Sequence, residues 1–166
     1  MVEARGIMIW YRDWLFYVLT IVVIVFDQIT KYAVKETIPL YETLVEVGMF
    51  RIVHGQNTGS AFGLLAGFTN FLIVASLLGL ALLLYFFMKQ AASNIFVRIS
   101  VGLIVGGAVG NLIDRVKDGF VVDFISVGWW PAFNVADSCI SVGMTVMVLF
   151  MIFGKKIDAD DEKGDL

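Results

Sequence analysis

The chain has 166 residues, of which 59% are hydrophobic and 16% are charged, and its formal net charge is −3. Soluble domains are about 45–50% apolar and about 25% charged, so this composition excludes a soluble globular protein and indicates an integral membrane protein. The length allows one compact bundle of membrane spans and not two domains.

Four segments are long and apolar enough to cross a bilayer, which takes about 20 helical residues. The first is expected to be retained, because its apolar run is too long for a signal peptide and has no small-residue cleavage site after it. We predict an all-α membrane protein with four transmembrane helices within residues 14–153: Trp14–Val34, Asn70–Met88, Asn94–Asp114 and Ala132–Phe153. In the third, Gly102, Gly106 and Gly110 recur at every fourth residue, which predicts close helix packing.

Two connections between the spans carry more than linker sequence. Within the insert at about 35–62, the segment Thr43–His54 is rich in β-branched and apolar residues, which predicts a small β-hairpin suited to the membrane surface. His54 is predicted to be an exposed loop residue. The connector at about 115–131 ends in Trp129, Trp130 and Pro131, which is typical of an interfacial aromatic anchor before a helix start.

Basic residues indicate the orientation, because Lys and Arg accumulate in short cytoplasmic loops. Three groups fall on one side of the predicted bundle: Arg5 and Arg12, Lys89 and Arg98, and Lys155 and Lys156. The N-terminal segment 1–13 and the acidic tail 154–166 are therefore predicted to be cytoplasmic, with the hairpin and the connector on the outer side. The tail is predicted to be solvated and disordered.

Four aspartates lie in or near the spans, namely Asp27, Asp114, Asp123 and Asp137. An intramembrane charge costs at least about 2.5–3.5 kcal/mol, so such residues face a polar cavity as a functional site or an ion pair. All four lie toward the outer side in the predicted topology. Asp137 is expected about 7–8 Å below the entry of its helix. A polar site at the outer interface follows.

The aspartates differ in their local partners. Asp27 and Lys31 are one helical turn apart, so mutual neutralisation is favoured over direct catalysis. On the third span Asn111, Asp114 and Arg115 share a face, where an amide and a guanidinium can orient a carboxylate or a loop.

Neither Asp123 nor Asp137 has a cation at i±3 or i±4, so no local ion pair explains them. A break at Pro131 is expected to fold the connector back and bring the two together. Close carboxylates that share one proton can activate a water with one member and protonate a leaving group with the other. Cation binding and proton relay stay open as alternatives.

Five motifs occur in the order seen in bacterial lipoprotein signal peptidase, also called signal peptidase II: Phe26–Lys31, Gln56–Phe62, Gly106–Arg115, Val121–Ile125 and Phe133–Asp137. The chain resembles that family from about residue 14 to 153. The resemblance implies an aspartyl intramembrane endopeptidase of the bacterial cytoplasmic (inner) membrane. Such an enzyme removes the signal peptide from diacylglyceryl-modified prolipoproteins, cleaving just before the lipidated cysteine.

The resemblance also implies residue roles. Asp123 and Asp137 match the catalytic dyad. Residues that shape the site or hold the substrate backbone are Asn57, Gly59, Asn111, Arg115 and Asn134, and those that give structural support are Asp27, Lys31 and Asp114. It further implies a monomer that contacts membrane lipid and is inhibited by globomycin, with no metal, organic cofactor or nucleic acid.

Three other functions fit the residues less well. A transporter or proton relay usually has its coupling site near the midplane of inverted repeats, and the chain shows neither feature. A Ser-Lys protease with Lys31 as base lacks a suitable hydroxyl beyond Thr30 and Ser60. A purely structural protein leaves Asp123 and Asp137 unexplained. The single cysteine, Cys139, excludes an internal disulfide and is predicted to be a small buried side chain.

Overall fold

The fold is a bundle of four long helices with a small sheet, as a computed structural model of residues 13–59, 67–89 and 94–164 shows; for residues 89 and 154–164 only the backbone is described. In chain order the elements are α1 (Trp14–Thr37), β1 (Thr43–Val47), β2 (Phe50–Asn57), α2 (Thr69–Lys89), α3 (Ile95–Asp118), β3 (Val121–Val127), β4 (Trp130–Phe133) and α4 (Val135–Gly164). Helices α1 to α4 are each long and apolar enough to span a membrane. The predicted four-helix membrane fold is confirmed.

Helix α3 is the centre of the bundle because its glycines let two neighbours approach closely. A Cβ atom added at Gly106 would lie 2.8 Å from Cβ of Val23 on α1. One added at Gly107 would collide with the carbonyl oxygen of Ala136 on α4. The predicted packing role of the glycine stripe is therefore confirmed for the α1 contact, and Gly107 extends it to α4.

The ends of α3 are set by local chemistry. Asn94 caps its start, with the side-chain oxygen accepting from the N–H of Phe96 at 2.9 Å. At its end Gly119 adopts a left-handed conformation with φ of 81°, and its N–H donates to the carbonyl oxygen of Arg115 at 3.1 Å. This C-cap turns the chain directly into β3, which carries Asp123.

The four strands form one antiparallel sheet in the order β1-β2-β3-β4. Strands β1 and β2 are the predicted hairpin, whereas the connector forms the further strands β3 and β4. Val122 and Phe124 of β3 are buried in an apolar cluster with Val34 of α1 and Ile38, which directly follows α1. Because side chains alternate along a strand, Asp123 projects to the face opposite that cluster.

Several local predictions are corrected. His54 is buried on β2, where its Nδ1 lies 2.7 Å from the carbonyl oxygen of Ile38, because β2 is covered by the end of α1 and the loop after it. Pro131 lies within β4, an edge strand that tolerates a missing N–H, and does not open a helix. Cys139 is only half-buried.

The bounds of α4 also differ from the prediction. The helix begins at Val135, because Asn134 caps it, so Asp137 lies in its first turn and not 7–8 Å inside it. At the other end α4 continues to Gly164, which corrects the disordered tail for residues 154–164; Lys, Ala and Glu favour helix and let it propagate beyond the apolar span. Most of the N-terminal segment, residues 60–62 of the insert and residues 165–166 lie outside the described residues.

Candidate active site

A buried charge cluster joins α1 to α3. Lys31 Nζ lies 2.8 Å from Asp27 Oδ2 and 2.9 Å from Asp114 Oδ2, and all three side chains are nearly inaccessible to solvent. The predicted Asp27–Lys31 pair is present. Asp114, which the sequence grouped with Asn111 and Arg115, shares the same ammonium. Such a cluster needs every partner, since an unpaired buried charge is strongly unfavourable.

Gln28 is a member of this cluster that sequence reasoning missed. Its Nε2 donates to Asp114 Oδ1 at 2.9 Å, to the carbonyl oxygen of Gly110 at 3.2 Å and to Asp27 Oδ2 at 3.4 Å. The available signal was a polar amide beside Asp27 within an apolar span. Gln28 therefore satisfies Asp114 Oδ1, because the ammonium of Lys31 contacts the other oxygen of that carboxylate.

Asp137 lies at the start of α4, in a reciprocal cap with Asn134. The N–H of Asp137 donates to Asn134 Oδ1 at 2.9 Å, and the N–H of Asn134 points at Asp137 Oδ2 at 3.4 Å. Asn111 Nδ2 donates to Asp137 Oδ1 at 2.7 Å. Both oxygens of Asp137 thus face N–H donors, and the residue itself lies at the N-terminus of α4, a position that suits a carboxylate.

Asp123 is held by two neutral amides. Its Oδ2 accepts from Asn57 Nδ2 at 2.9 Å and its Oδ1 accepts from Asn134 Nδ2 at 2.8 Å. Burial, together with the charge of Asp137, raises the pKa of the Asp123 carboxyl to about 7, while the two amides act in the opposite direction. Asn134 contacts both aspartates, so it links the two carboxyls that the sequence singled out.

Asp123→Asn should change how stability depends on pH. The pKa of Asp123 is about 7 in the folded protein against an ordinary 3.8, so between these values the folded state holds a proton that the unfolded state has lost. The free energy of unfolding of the wild type should therefore fall as pH rises from about 4 to 7, by up to a few kcal/mol at about 1.4 kcal/mol per pKa unit. Unfolding titrations at pH 4.5 and 8 should show that the free energy of unfolding of the variant lacks this fall. The same fall in both proteins would contradict the raised pKa of Asp123.

Gly59 and Arg115 shape the rim of the site. The N–H of Gly59 donates to Asn57 Oδ1 at 3.0 Å, which leaves Nδ2 of Asn57 facing Asp123. Arg115 Nη2 donates to the carbonyl oxygen of Gly59 at 3.3 Å. Arg115 therefore contacts the chain after β2, and its expected role in orienting a loop stays a prediction.

Two cavities meet at this site. One, of about 570 Å³, is lined by Asp123, Asp137, Asn57 and Arg115 and by apolar residues of β4 and α4. The other, of about 530 Å³, is an almost wholly apolar groove along α2, α3 and α4, and Asn111, Arg115 and Ile140 border its polar end. Among residues 13–59, 67–88 and 94–153, whose side chains are described, no group of three or more acidic, histidine or cysteine side chains is placed to hold a metal ion.

The sequence is similar to proteins of one family along most of its length. The family model described as "Signal peptidase (SPase) II" matches residues 19–153. The lipoprotein signal peptidase of Dehalococcoides mccartyi is 40% identical over 157 residues, which cover 92% of this chain and 98% of that protein. The lipoprotein signal peptidase of Geobacter metallireducens is 41% identical, and the match covers 89% of this chain and 96% of that protein. That of Staphylococcus aureus is 34% identical, and the match covers 81% of this chain and 85% of that protein.

Solved structures agree with the sequence relatives. A bacterial membrane enzyme determined by the in meso method at 2.3 Å resolution has a TM-score of 0.78 and 34% identity, covering 82% of this chain and 87% of that chain. A second, at 1.9 Å resolution, has a TM-score of 0.75 at the same identity and covers 82% of this chain and 91% of that chain. On these grounds the chain belongs to the signal peptidase II family.

Proposed function

We propose that this protein is an aspartic endopeptidase that removes signal peptides from diacylglyceryl-modified prolipoproteins, with Asp123 and Asp137 as its catalytic dyad. Family membership supports signal-peptide removal, and the relatives are named lipoprotein signal peptidases. The observation that carries the dyad is that both carboxyls line one cavity and are joined through Asn134, yet have different surroundings. Such a difference divides acid and base roles between two like groups.

The surroundings suggest which aspartate does what. Asp137, with N–H donors at both oxygens, is the general base: it takes a proton from water as the water oxygen attacks the scissile carbonyl carbon. Asp123, with a pKa of about 7, carries the acidic proton and gives it to the carbonyl oxygen. As the tetrahedral diol collapses, one hydroxyl returns a proton to Asp123, and Asp137 gives its proton to the leaving amine nitrogen.

The apolar groove supports a lipid-bearing substrate. Its lining includes Leu80 and Leu83 of α2 and Met147 of α4, and its polar end lies at Asn111 and Arg115, beside the dyad. A substrate held in the bilayer by acyl chains can therefore enter sideways along apolar surface and meet the carboxyls at the interface. We propose that lateral entry places the bond before the lipidated cysteine at Asp123 and Asp137.

Cleavage of matched precursors tests this function. Purified protein should cleave a diacylglyceryl-modified prolipoprotein just before its lipidated cysteine, and globomycin should inhibit the reaction. The same precursor without the diacylglyceryl group should be cleaved at least about tenfold more slowly, since its lipid contacts with the groove are lost. Equal rates on both precursors would reject the lipid requirement, and absence of cleavage of either would reject the function.

The active unit is proposed to be a monomer. Asp123, Asp137 and the amides that contact them, Asn57, Asn111 and Asn134, all belong to one chain. Turnover per molecule should therefore stay constant when the protein is diluted to monomer in detergent, as measured by sedimentation and activity on the same samples. Activity that falls in proportion to loss of a larger species would contradict this.

The pH profile should show a limb set by Asp123. Deprotonation of Asp123 removes the acid, so activity should fall above about pH 7. The amide of Asn57 lowers the pKa of Asp123, so Asn57→Ala should raise it and move this limb to higher pH. Rates of precursor cleavage from pH 5 to 9 measure the shift. Asn94→Ala, which removes an asparagine at the opposite end of α3, should leave the limb in place, and a limb that does not move in Asn57→Ala would contradict the assignment.

We propose that the protein lies in the bacterial inner membrane with both termini in the cytoplasm and the sheet at the outer face. The Lys and Arg distribution supports this orientation, as does the apolar surface of the sheet, where Trp129 is 83% and Met49 is 71% exposed. In a Cys139→Ser background, Glu46→Cys on β1 should react with an impermeant maleimide in intact spheroplasts. A cysteine at position 166 should react only after lysis, and the reverse pattern would overturn the orientation.

A further inference from the structure

The amide of Asn111 has one orientation that satisfies its neighbours. Its Oδ1 lies 2.9 Å from Lys31 Nζ and 3.2 Å from Asn134 Nδ2, both of which are donors. Its Nδ2 lies 2.7 Å from the carboxylate of Asp137. Turning the amide over would place an NH₂ group against an ammonium and an oxygen against a carboxylate. The surroundings of Asn111 therefore determine that its NH₂ group, and not its oxygen, faces Asp137.

Lys31 is the strongest of these influences. An ammonium has three donors and no acceptor capacity, and Lys31 directs them to Asp27, Asp114 and Asn111. The two carboxylates fix the position of Nζ, so the third donor has one place to point. Asn134 adds only a neutral and longer bond to the same oxygen.

The same cluster also holds the backbone that carries Asp137. Asp27 Oδ1 accepts from the N–H of Ala136 at 2.9 Å, in the first turn of α4. Gly110 allows this approach, because a Cβ there would lie 2.7 Å from Asp27 Oδ2. Helix α1 thus reaches the base through two routes, one through the Asn111 amide and one through the start of α4.

We infer that Lys31 is a positioning residue for the proposed dyad: it holds the Asn111 amide with Nδ2 toward Asp137 and so fixes one of the hydrogen-bond donors that position this base. The inference rests on the proposed function. The charged groups around Asp137 are Arg115 on α3, Asp123 on β3 and, behind Asn111, Lys31 with Asp27 and Asp114. Of these, Lys31 acts through an amide whose orientation it imposes.

A pair of charge-balanced double variants tests the role of Lys31. Lys31→Met/Asp114→Asn removes one positive and one negative charge from the cluster. Lys35→Met/Asp118→Asn removes another ion pair between α1 and α3, one helical turn further along each helix, where Lys35 Nζ lies 2.8 Å from Asp118 Oδ2. The second variant is the matched control, because it does not contact the site.

The readout is kcat and KM, determined separately with the lipidated precursor. Loss of the hydrogen bond that positions Asp137 should lower kcat of the first variant about tenfold, the size expected for one charge-assisted hydrogen bond. The KM should change less than about threefold, because substrate contacts remain. The control should keep the wild-type kcat and KM even if its melting temperature falls.

The route through Asn111 is tested in an Asn111→Ala background, where no amide is left to orient. There the Lys31→Met/Asp114→Asn change should cause no further fall in kcat. An equal fall in kcat with and without Asn111 would overturn the inference, and so would an unchanged kcat in the first variant with only a lowered melting temperature.

Folding of the variants is checked by thermal unfolding. If Lys31→Met/Asp114→Asn does not fold, Asp27→Asn/Lys31→Met takes its place, because Asn at 27 keeps an oxygen for the N–H of Ala136. If neither folds, the cluster is structural and the inference is overturned. Absence of cleavage by the wild type would instead reject the proposed function.

Discussion

Asp123→Asn and Asp137→Asn are each expected to fold and to cleave the lipidated precursor at least about 10³-fold more slowly than the wild type. The amide keeps the shape of the side chain and removes its acid or base function, and positioned acids and bases contribute about 10²–10⁴-fold each. Asp123→Asn lacks the proton donor of the proposed mechanism. Asp137→Asn lacks the group that accepts the proton of water. Single-turnover cleavage rates at several pH values measure the loss, with melting temperatures as the check on folding.

Two further aspartates on α3 serve as comparisons. Asp118→Asn removes a partly exposed carboxylate that pairs with Lys35 outside the site, so its activity should stay near that of the wild type. Asp114→Asn removes one partner of Lys31 but no dyad member, so some turnover should remain. A near wild-type rate for Asp123→Asn or Asp137→Asn would exclude the dyad and return the transport alternative to consideration.

Lys31→Met is expected to lower the free energy of unfolding by about 3–5 kcal/mol, the cost of leaving buried charge without its partner. Asp27 and Asp114 would then share the bundle interior with only Gln28 and backbone N–H groups as donors. Unfolding titrations in mixed micelles measure the change. Lys31→Met/Asp114→Asn should recover part of the loss, because it removes one of the two stranded carboxylates.

Lys35→Met is the control for this effect. Lys35 and Asp118 keep 29% and 21% of their side-chain surface exposed, so water compensates the lost pair and the change should stay below about 1 kcal/mol. Equal destabilisation by Lys31→Met and Lys35→Met would show that the burial of the cluster carries no extra energy. A larger loss of unfolding free energy in Lys31→Met than in Lys35→Met would therefore show that the cluster around Lys31 behaves as a buried ion cluster.

The sequence by itself determined the four spans and the positions of the polar residues along them. Hydropathy over about 20 residues is a local property, so a helix long enough for the membrane is recognisable without its neighbours. The pair of Asp27 and Lys31 was equally local, because residues four apart share a helix face. The resemblance added the dyad and the residues around it, and family membership is confirmed, while the roles of these residues stay predictions.

Only the tertiary structure decided how these polar residues pair. Lys31 meets Asn111 across 80 residues of sequence, and that contact exists because glycines let α1 and α3 approach. The connector became strands because β2 offers an edge to β3, which no local pattern specified. Asn134 contacts both Asp123 and Asp137 because β3 packs beside the start of α4. Amide orientation and carboxylate surroundings are properties of several chain segments together, so they follow from packing and not from spacing.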